Sequence, residues 1–248
     1  MIIQQPAIDW ITLSEPLERG TTGILRSFAE YFGSRKREGR RIGYDGYTYT
    51  FRAQTFFYGE RTWKERDWGL LIASGESAHW VVSQIWETEE TEWNKVRCTR
   101  IDIQVTIPWP EYPFFLRHLV LTEGIKASVV HGLSEDDAWA ETLYLGSRAS
   151  PVMVRAYRKR VDDSGHDWMR CEVEYKREAS RALFRELLLE QRVANWFGPV
   201  EERCLSLYEM IDPYMDDDPD RPIARKVEGN TFKWLSTTVA NCVCRLLK

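Results

Sequence analysis

The feature that most constrains the fold is a run of five strand-like segments between residues 99 and 176. Apolar and polar residues alternate through much of this run, and alternation with a period of two is typical of β-strands. The connections between the last three segments are shorter than the roughly 12 residues that a parallel crossover needs, so antiparallel pairing is predicted. The five segments span residues 99–107, 125–131, 141–147, 151–160 and 168–176.

The rest of the chain adds strands and helices to this predicted sheet. Further strands are expected at residues 8–13, 43–51 and 69–73. Helices are expected at residues 22–32, 77–86, 177–197, 201–208 and 232–247, the first capped by Thr21 or Thr22. We therefore predict an α+β fold, with an antiparallel β-sheet core and flanking helices in residues 1–181 and a helical carboxyl-terminal region in residues 182–248.

Composition excludes several classes of protein. The chain has 248 residues, 43% hydrophobic and 29% charged, which excludes intrinsic disorder and a small disulfide scaffold. No stretch approaches the roughly 20 apolar residues that cross a bilayer, and the amino terminus lacks a secretory signal, so we expect a cytoplasmic protein with no membrane partner. Without CxxC spacing, the cysteines are expected to be reduced and buried. They are Cys98, Cys171, Cys204, Cys242 and Cys244.

Charge is segregated along the chain. The formal net charge of -4 argues against a protein that coats nucleic acid by bulk electrostatics. Local basic clusters suit a polyanion held at one face, although an isolated cluster of this kind is often only solvated surface. One cluster contains Arg35, Lys36, Arg37, Arg40 and Arg41, and the other contains Arg155, Arg158, Lys159 and Arg160.

Two predicted strands place carboxylates on a polar face. In residues 100–106, Asp102 shares its face with Arg100 and alternates with isoleucine and valine. In residues 169–176, Glu172 and Glu174 share a face with two flanking cations. Salt bridges to those neighbours would explain the carboxylates. Alternatively, the three together supply oxygen ligands for Mg²⁺ or Mn²⁺, which suits a chain whose four histidines are scattered singly.

Tyr157 is a candidate nucleophile on the strand at 151–160, where Arg155 and Lys159 share its face. If Val161 pairs with Trp168, Tyr157 lies on the same face as Glu172, whereas a slip of one residue separates the two. A neighbouring cation would lower the cost of forming a phenolate, and a bound metal would polarise a phosphoryl oxygen. The alternative is that Tyr157 is a packing residue.

Four ordered motifs resemble the replication initiation factor family of rolling-circle plasmids, which includes phage initiators and the relaxases of some integrative conjugative elements. Residues 8–12 and 74–76 are similar to earlier landmarks of that family, so the resemblance covers about residues 8–180. The four motifs are Thr-Arg-Ile-Asp-Ile-Gln-Val-Thr at 99–106, Glu-Thr-Leu-Tyr-Leu-Gly-Ser-Arg at 141–148, Arg-Ala-Tyr-Arg-Lys at 155–159 and Arg-Cys-Glu-Val-Glu-Tyr-Lys at 170–176.

The resemblance implies a site- and strand-specific DNA endonuclease that depends on a metal ion. Its tyrosine attacks a phosphodiester at the origin, keeps the 5′ phosphate covalently and frees a 3′ hydroxyl as a primer. Tyr157 would be the nucleophile, with Lys159 and Arg155 near the scissile phosphate. The implied ligands of Mg²⁺ or Mn²⁺ are Asp102, Glu172 and, in the third position, Glu174. Ser147 and Arg148 would lie beside the site.

The resemblance also suggests partners and leaves two other classes open. Single-stranded or supercoiled origin DNA is the expected partner, with a host helicase and a second copy of the chain as further candidates. Aromatic residues such as Tyr44, Tyr47 and Tyr49 could stack on bases or could be core packing. The alternatives are an origin-binding or regulatory DNA-binding protein that does not cut, and a structural protein with no DNA role. Expected DNA contacts are Arg35, Lys36, Arg37, Arg40, Arg41, Arg100, Ser147, Arg148 and Arg158.

Overall fold

The computed structural model describes residues 4–18, 21–87, 93–108, 119–132, 140–160, 167–190 and 195–215. The chain divides into two compact units. One, here called the amino-terminal unit, is built mainly from Asp9–Arg100, and the other, the central unit, mainly from Ile101–Leu183. The predicted division at 181/182 stays a prediction, because residues 216–248 lie outside the described residues.

The amino-terminal unit contains five antiparallel strands in the order β2-β3-β4-β5-β1, together with two helices. The strands are β1 (Gln4–Leu17), β2 (Ser34–Arg41), β3 (Tyr44–Phe51), β4 (Gln54–Trp63) and β5 (Arg66–Ser74). The helices are α1 (Ile24–Phe32) and α2 (Glu76–Trp86).

The central unit contains five strands in the order β6-β10-β9-β8-β7. They are β6 (Arg97–Pro108), β7 (Ala127–Gly132), β8 (Ala140–Leu145), β9 (Val152–Arg160) and β10 (Asp167–Lys176). Residues 97–100 of β6 belong to the amino-terminal unit, and residues 101–108 belong to the central unit. The helices that follow are α3 (Arg177–Glu190), α4 (Gly198–Glu201) and α5 (Leu205–Ile211), with a 3₁₀ turn at Asp212–Tyr214.

One face of the amino-terminal strands packs on the two helices, and we call it the helix face. Phe28 of α1 lies 5.8 Å from Phe56 of β4, and Trp80 of α2 lies 5.5 Å from Phe51 of β3, measured between ring centroids. These aromatic contacts bury large apolar surfaces and prefer the tilted and offset geometries seen here. The opposite face, which we call the far face, holds a separate buried cluster of Tyr44, Phe57, Leu70 and Ile72.

One face of the central strands is apolar and buried, which follows from the alternation along each strand. Its members include Ile101, Ile103, Val154, Ala156, Cys171 and Val173, all at most 1% exposed. The segment at 196–211 contributes further buried residues, and the Tyr175 hydroxyl donates a hydrogen bond of 2.7 Å to the Trp196 carbonyl. The other face of these strands is polar and is described below.

The structure confirms the α+β class and the antiparallel pairing of β7, β8, β9 and β10. Cys98, Cys171 and Cys204 are free and buried, as expected. Strands β2 and β4 were not predicted, and the helix expected at 201–208 is instead two short helices, α4 and α5. The helix expected at 232–247 lies outside the described residues, and no described helix is long and apolar enough to cross a membrane.

A buried carboxylate, not a threonine, caps helix α1. The predicted caps Thr21 and Thr22 are wrong, because Gly23 occupies the N-cap position and supplies no side-chain hydrogen bond. The amides of Ile24 and Leu25 donate to the two carboxylate oxygens of Glu15, at 2.9 and 2.8 Å. A Cβ atom at Gly23 would lie 2.2 Å from Glu15 Oε1, so only glycine leaves room for this contact.

Burial raises the pKa of Glu15 to about 7, although the backbone hydrogen bonds from Leu25 and Ile24 oppose the rise. The folded protein therefore holds the Glu15 proton more tightly than the unfolded chain does. This contribution to stability is full below about pH 4.5 and is lost as the pH rises through about 7, a change of up to about 3 kcal/mol.

We predict that Glu15→Gln removes this part of the pH dependence of the free energy of unfolding, because an amide does not titrate. Urea unfolding at pH 5 and pH 8 measures it, with Glu18→Gln, an exposed residue three positions along the chain, as the control. Glu15→Ala should cost about 2 kcal/mol at pH 5, since two helix amides lose their acceptor, and less at pH 8, where the wild type has already lost the pH-dependent contribution of Glu15. Equal pH profiles for the wild type and Glu15→Gln would contradict the assignment.

Candidate active site

Three carboxylates lie on the polar face of β6, β9 and β10. The alternation in the sequence predicted that each lies on a polar strand face. Asp102, Glu172 and Glu174 are 1%, 0% and 7% exposed, respectively. Buried carboxylates are rare unless they are paired, so each needs a hydrogen-bond or ionic partner. Arg155 and Tyr157, on β9, lie on the same face and supply the partners of Glu172.

The pairing of β9 with β10 differs from the expected register by two residues. Trp168 pairs with Lys159 and not with Val161, so Arg170 lies opposite Tyr157, and Glu172 lies opposite Arg155. A shift of two residues preserves the face of every side chain. The prediction that Tyr157 and Glu172 share a face is therefore confirmed, while the predicted pairing of Val161 with Trp168 is wrong.

Glu172 is the centre of the hydrogen-bond network. The Tyr157 hydroxyl donates to Glu172 Oε1, and the Arg155 Nε–H donates to Glu172 Oε2. The same guanidinium reaches Asp102, with 3.5 Å between Arg155 Nη2 and Asp102 Oδ2. Arg155 thus neutralises two buried carboxylates. One of them, Glu172, also accepts a hydrogen bond from the Tyr157 hydroxyl.

Burial raises the pKa of Tyr157, and the negative charge and hydrogen bond of Glu172 raise it further, against a smaller opposing effect of Arg170 and Arg155. Arg155 lowers the pKa of Tyr157, in the direction expected, but the net change is a rise. The reason is that Arg155 is bound to Glu172, and this carboxylate favours the protonated phenol. A nucleophilic Tyr157 needs a proton acceptor, and Glu172 is in hydrogen-bond contact with its hydroxyl.

Sequence reasoning missed the part that Arg170 plays on this face. Its Nε–H lies 3.2 Å from Thr106 Oγ1, and the Thr106 hydroxyl donates in turn to Gln104 Oε1 at 2.8 Å. Thr106 is 0% exposed, so its hydroxyl depends on these partners. The signal was the alternation of β10, but the correct register was needed to place Arg170 opposite Tyr157.

The turn after β8 lies beside this network. Lys176 Nζ is 2.9 Å from Glu174 Oε1 and donates to the Arg148 carbonyl at 2.5 Å. The Arg148 guanidinium lies 4.8 Å from the ring centroid of Tyr144, which pairs with Arg155 across β8 and β9. Gly146 adopts φ +94, a conformation that favours glycine, and thereby directs the chain into the turn that carries Ser147 and Arg148.

The three carboxylates do not form the predicted metal site in their present arrangement. Arg155 holds Asp102 and Glu172, while Lys176 holds Glu174, so each carboxylate has a cationic side chain beside it. Among the residues that the structure describes, no group of three or more histidine, cysteine, aspartate or glutamate side chains is placed to hold a metal ion. The donor chemistry suits Mg²⁺ or Mn²⁺, but the geometry is that of a salt-bridge network. The metal stays a prediction.

Other predicted site residues lie elsewhere. Lys159 is on the Tyr157 face by alternation and is partly exposed, whereas Arg158 is on the opposite face of β9. Arg100 belongs to the amino-terminal unit, where its guanidinium lies 4.8 Å from the ring centroid of Trp10. Ser147 accepts a hydrogen bond of 3.2 Å from the Ala149 amide within its turn.

The predicted basic cluster forms β2, a strand at the edge of the amino-terminal group. All eight of its residues are exposed. The pairing of β2 with β3 divides the cluster between the two faces of the strand. Arg35 and Arg40 lie on one face, and Arg37 and Arg41 lie on the other. Lys36 lies at the position where the register shifts.

Of the two alternatives for Tyr44 and Tyr49, base stacking and core packing, the structure supports core packing, because these residues are only 5% and 2% exposed. Tyr49 packs on the helix face, where its ring is stacked on Phe56 at 5.7 Å. Tyr44 belongs to the buried cluster of the far face. Tyr47 is partly exposed and has the Arg35 guanidinium 4.9 Å from its ring centroid.

We predict that Arg155→Met lowers the free energy of unfolding by about 3 kcal/mol, since two buried carboxylates lose their counterion. Adding Glu172→Gln should recover part of that loss, because a neutral amide replaces an unpaired charge. Urea unfolding measures both changes. Lys159→Met, on the same face of the same strand, is the control and should change stability by less than about 0.5 kcal/mol. Equal losses for Arg155→Met and Lys159→Met would contradict the network.

Comparison with known proteins supports the fold. No protein-family model matches the chain, and no curated protein matches it. A solved structure of a rolling circle replication initiator protein from Geobacillus stearothermophilus is similar, with a TM-score of 0.57 and 14% identity over 94% of this chain and 94% of that chain. At this identity the likeness shows the fold alone. The chain therefore has the antiparallel α+β fold of a rolling-circle initiator structure.

Proposed function

We propose that this chain is a rolling-circle replication initiator, a cytoplasmic DNA strand transferase that nicks one strand of an origin through Tyr157. The observation that supports this most directly is the hydrogen bond from the Tyr157 hydroxyl to the buried carboxylate of Glu172. A phenol in hydrogen-bond contact with a proton acceptor and close to cations can act as a nucleophile toward phosphorus. The initiator-like fold and the motif order support the same reaction class.

In the proposed step, the Tyr157 oxygen forms a bond to the phosphorus of a backbone phosphodiester as Glu172 accepts the phenol proton. The bond between phosphorus and the 3′ oxygen breaks, and that oxygen leaves with the electron pair and takes up a proton. The products are a 5′-phosphotyrosyl linkage and a free 3′ hydroxyl. Reversal by an incoming 3′ hydroxyl restores Tyr157 and rejoins the strand, which makes the reaction a transfer.

Cations on the same face would stabilise the charge that develops on the phosphate oxygens. The Arg155 guanidinium carbon lies 6.0 Å from the ring centroid of Tyr157, and Arg170 is the direct partner of Tyr157 on β10. Lys159 shares the face and is partly exposed. Fixed positive groups aimed at a developing anion lower the barrier without reorganising during the reaction. Arg148 is proposed to hold a neighbouring phosphate.

A divalent metal stays part of the proposal as an expectation from the family resemblance. Mg²⁺ or Mn²⁺ would polarise a phosphoryl oxygen, and Asp102, Glu172 and Glu174 are the candidate ligands. The salt bridges to Arg155 and Lys176 compete with metal binding at these carboxylates. The reaction should therefore be assayed with Mg²⁺, with Mn²⁺ and with EDTA.

The proposed substrate is single-stranded or supercoiled origin DNA. The exposed guanidinium and ammonium groups of β2, from Arg35 to Arg41, would contribute phosphate contacts, together with Arg100, Ser147, Arg148 and Arg158. Such contacts give affinity that falls as salt rises. A host helicase and a second copy of the chain are the further partners proposed.

We predict that Tyr157→Phe abolishes the covalent protein–DNA adduct and leaves DNA affinity within about twofold, because only the nucleophilic oxygen is lost. The assay incubates the chain with supercoiled DNA of its own replicon and runs a denaturing gel. Tyr175→Phe, on the apolar face of β10, is the matched tyrosine control and should retain the adduct. An adduct that persists in Tyr157→Phe would contradict the assignment. Tight, salt-dependent binding with no adduct from the wild type would support the non-cutting alternative.

We predict that Glu172→Gln slows adduct formation at least about 100-fold, since loss of a positioned general base typically costs that much. Glu141→Gln is the control, because Glu141 is also buried, at 7% exposed, but lies in the neighbouring strand β8 on the apolar face. Raising the Mn²⁺ concentration should not restore the Glu172→Gln rate. Restoration by Mn²⁺ would instead indicate that Glu172 acts only as a metal ligand and not as the proton acceptor.

A further inference from the structure

The far face of the amino-terminal strands carries a row of cations over aromatic rings. These pairs lie within the roughly 6 Å at which a cation is attracted to an aromatic face. From guanidinium carbon or ammonium nitrogen to ring centroid, they are Arg41 and Phe57 at 5.7 Å, Arg61 and Tyr44 at 4.3 Å, Lys64 and Trp63 at 4.7 Å, Arg97 and Trp68 at 5.8 Å, and Arg100 and Trp10 at 4.8 Å.

The register of the strands excludes the carboxylates of β1 to β5 from this face. Phe56 packs on α1, so Ala73 and Tyr49, its partners on β5 and β3, share the helix face with it. Counting alternate residues from these positions puts every acidic residue of β1 to β5 on the helix face. They are Asp9, Glu15, Glu38, Asp45, Glu60 and Asp67. The strand residues of the far face are therefore neutral or positive.

Two donors on the far face have no acceptor among the residues that the structure describes. Arg61 and Trp68 are direct partners across β4 and β5. The Nε–H of Arg61 and the indole N–H of Trp68 are buried and make no hydrogen bond within the part of the chain that the structure describes. Buried donors without partners are uncommon in folded proteins. A ligand with acceptor oxygens at this position would satisfy both.

The aromatic rings of this face divide into two groups. Phe57 and Tyr44 are 2% and 5% exposed and form a floor beneath the cations. Trp63 is 50% exposed, and Trp10 and Trp68 are partly exposed. A planar ligand can therefore reach the tryptophan rings. Each of these rings has a cationic side chain next to it.

From these observations we infer that the far face of the amino-terminal unit binds single-stranded nucleic acid, a polyanion whose unpaired bases stack on Trp10, Trp63 and Trp68. Cations that follow a backbone and aromatic side chains that accept bases are the two components of such sites. A duplex matches less well, because its bases are stacked on one another and unavailable to the rings. This inference deepens the proposed function by adding a contact for an unwound strand.

The test uses the full chain with Tyr157→Phe, so that no covalent adduct forms. Fluorescence anisotropy measures its affinity for a labelled oligothymidine of about 20 nucleotides, which contains no origin sequence. Arg97→Glu and Trp63→Ala change exposed side chains of the far face, and each should weaken binding about tenfold. Arg52→Glu is the control, because Arg52 is also exposed and lies 5.3 Å from Phe51, a ring of the helix face.

The inference is supported if the parent chain binds the oligothymidine and both Arg97→Glu and Trp63→Ala weaken that binding. Arg52→Glu should leave the affinity within about twofold. Equal losses for Arg97→Glu and Arg52→Glu would overturn it, since net charge alone would then explain the affinity. No loss with Trp63→Ala, or an equally tight duplex with the same sensitivities, would overturn the assignment to single strands. Strand cleavage is not measured, so a failed nicking proposal leaves this test unaffected.

Discussion

The buried carboxylate of Glu172 is the interaction on which the rest of the central unit's polar face depends. A carboxylate with no exposed surface must be neutralised and hydrogen-bonded. Arg155 supplies the charge and one hydrogen bond, and Tyr157 supplies the other. The same requirement that stabilises the strand pairing therefore holds a tyrosine hydroxyl against a proton acceptor. Packing and proposed chemistry share one set of contacts, which is why Arg155 substitutions should affect both.

Each unit separates its charges by the same device, the alternation of side chains along β-strands. In the central unit, alternation puts the Glu172 network on one face and a largely apolar layer on the other. In the amino-terminal unit, it gives the helix face all the strand carboxylates and leaves the far face with cations and aromatic rings. Although the net charge is -4, the chain therefore has two surfaces suited to binding a polyanion.

Much of this was predictable, because a period of two fixes which residues share a face regardless of exact pairing. Tyr157 and Glu172 were placed together correctly although the register was wrong by two residues. Strand β2 gave no alternation signal, because all its residues are exposed. The Glu15 cap joins residues nine and ten positions apart, and the effect of Glu172 on Tyr157 depends on strand pairing, so neither could be found from local patterns.

The central claim is that Tyr157 is the residue that joins DNA. The most direct measurement is mass spectrometry of the protease-digested covalent adduct, after nuclease treatment has trimmed the DNA. The account predicts a single modified peptide containing Tyr157, with a 5′-linked nucleotide on its phenolic oxygen. A nucleotide attached to another residue would contradict that claim, and so would cleavage of the origin strand by a chain that carries no attached nucleotide.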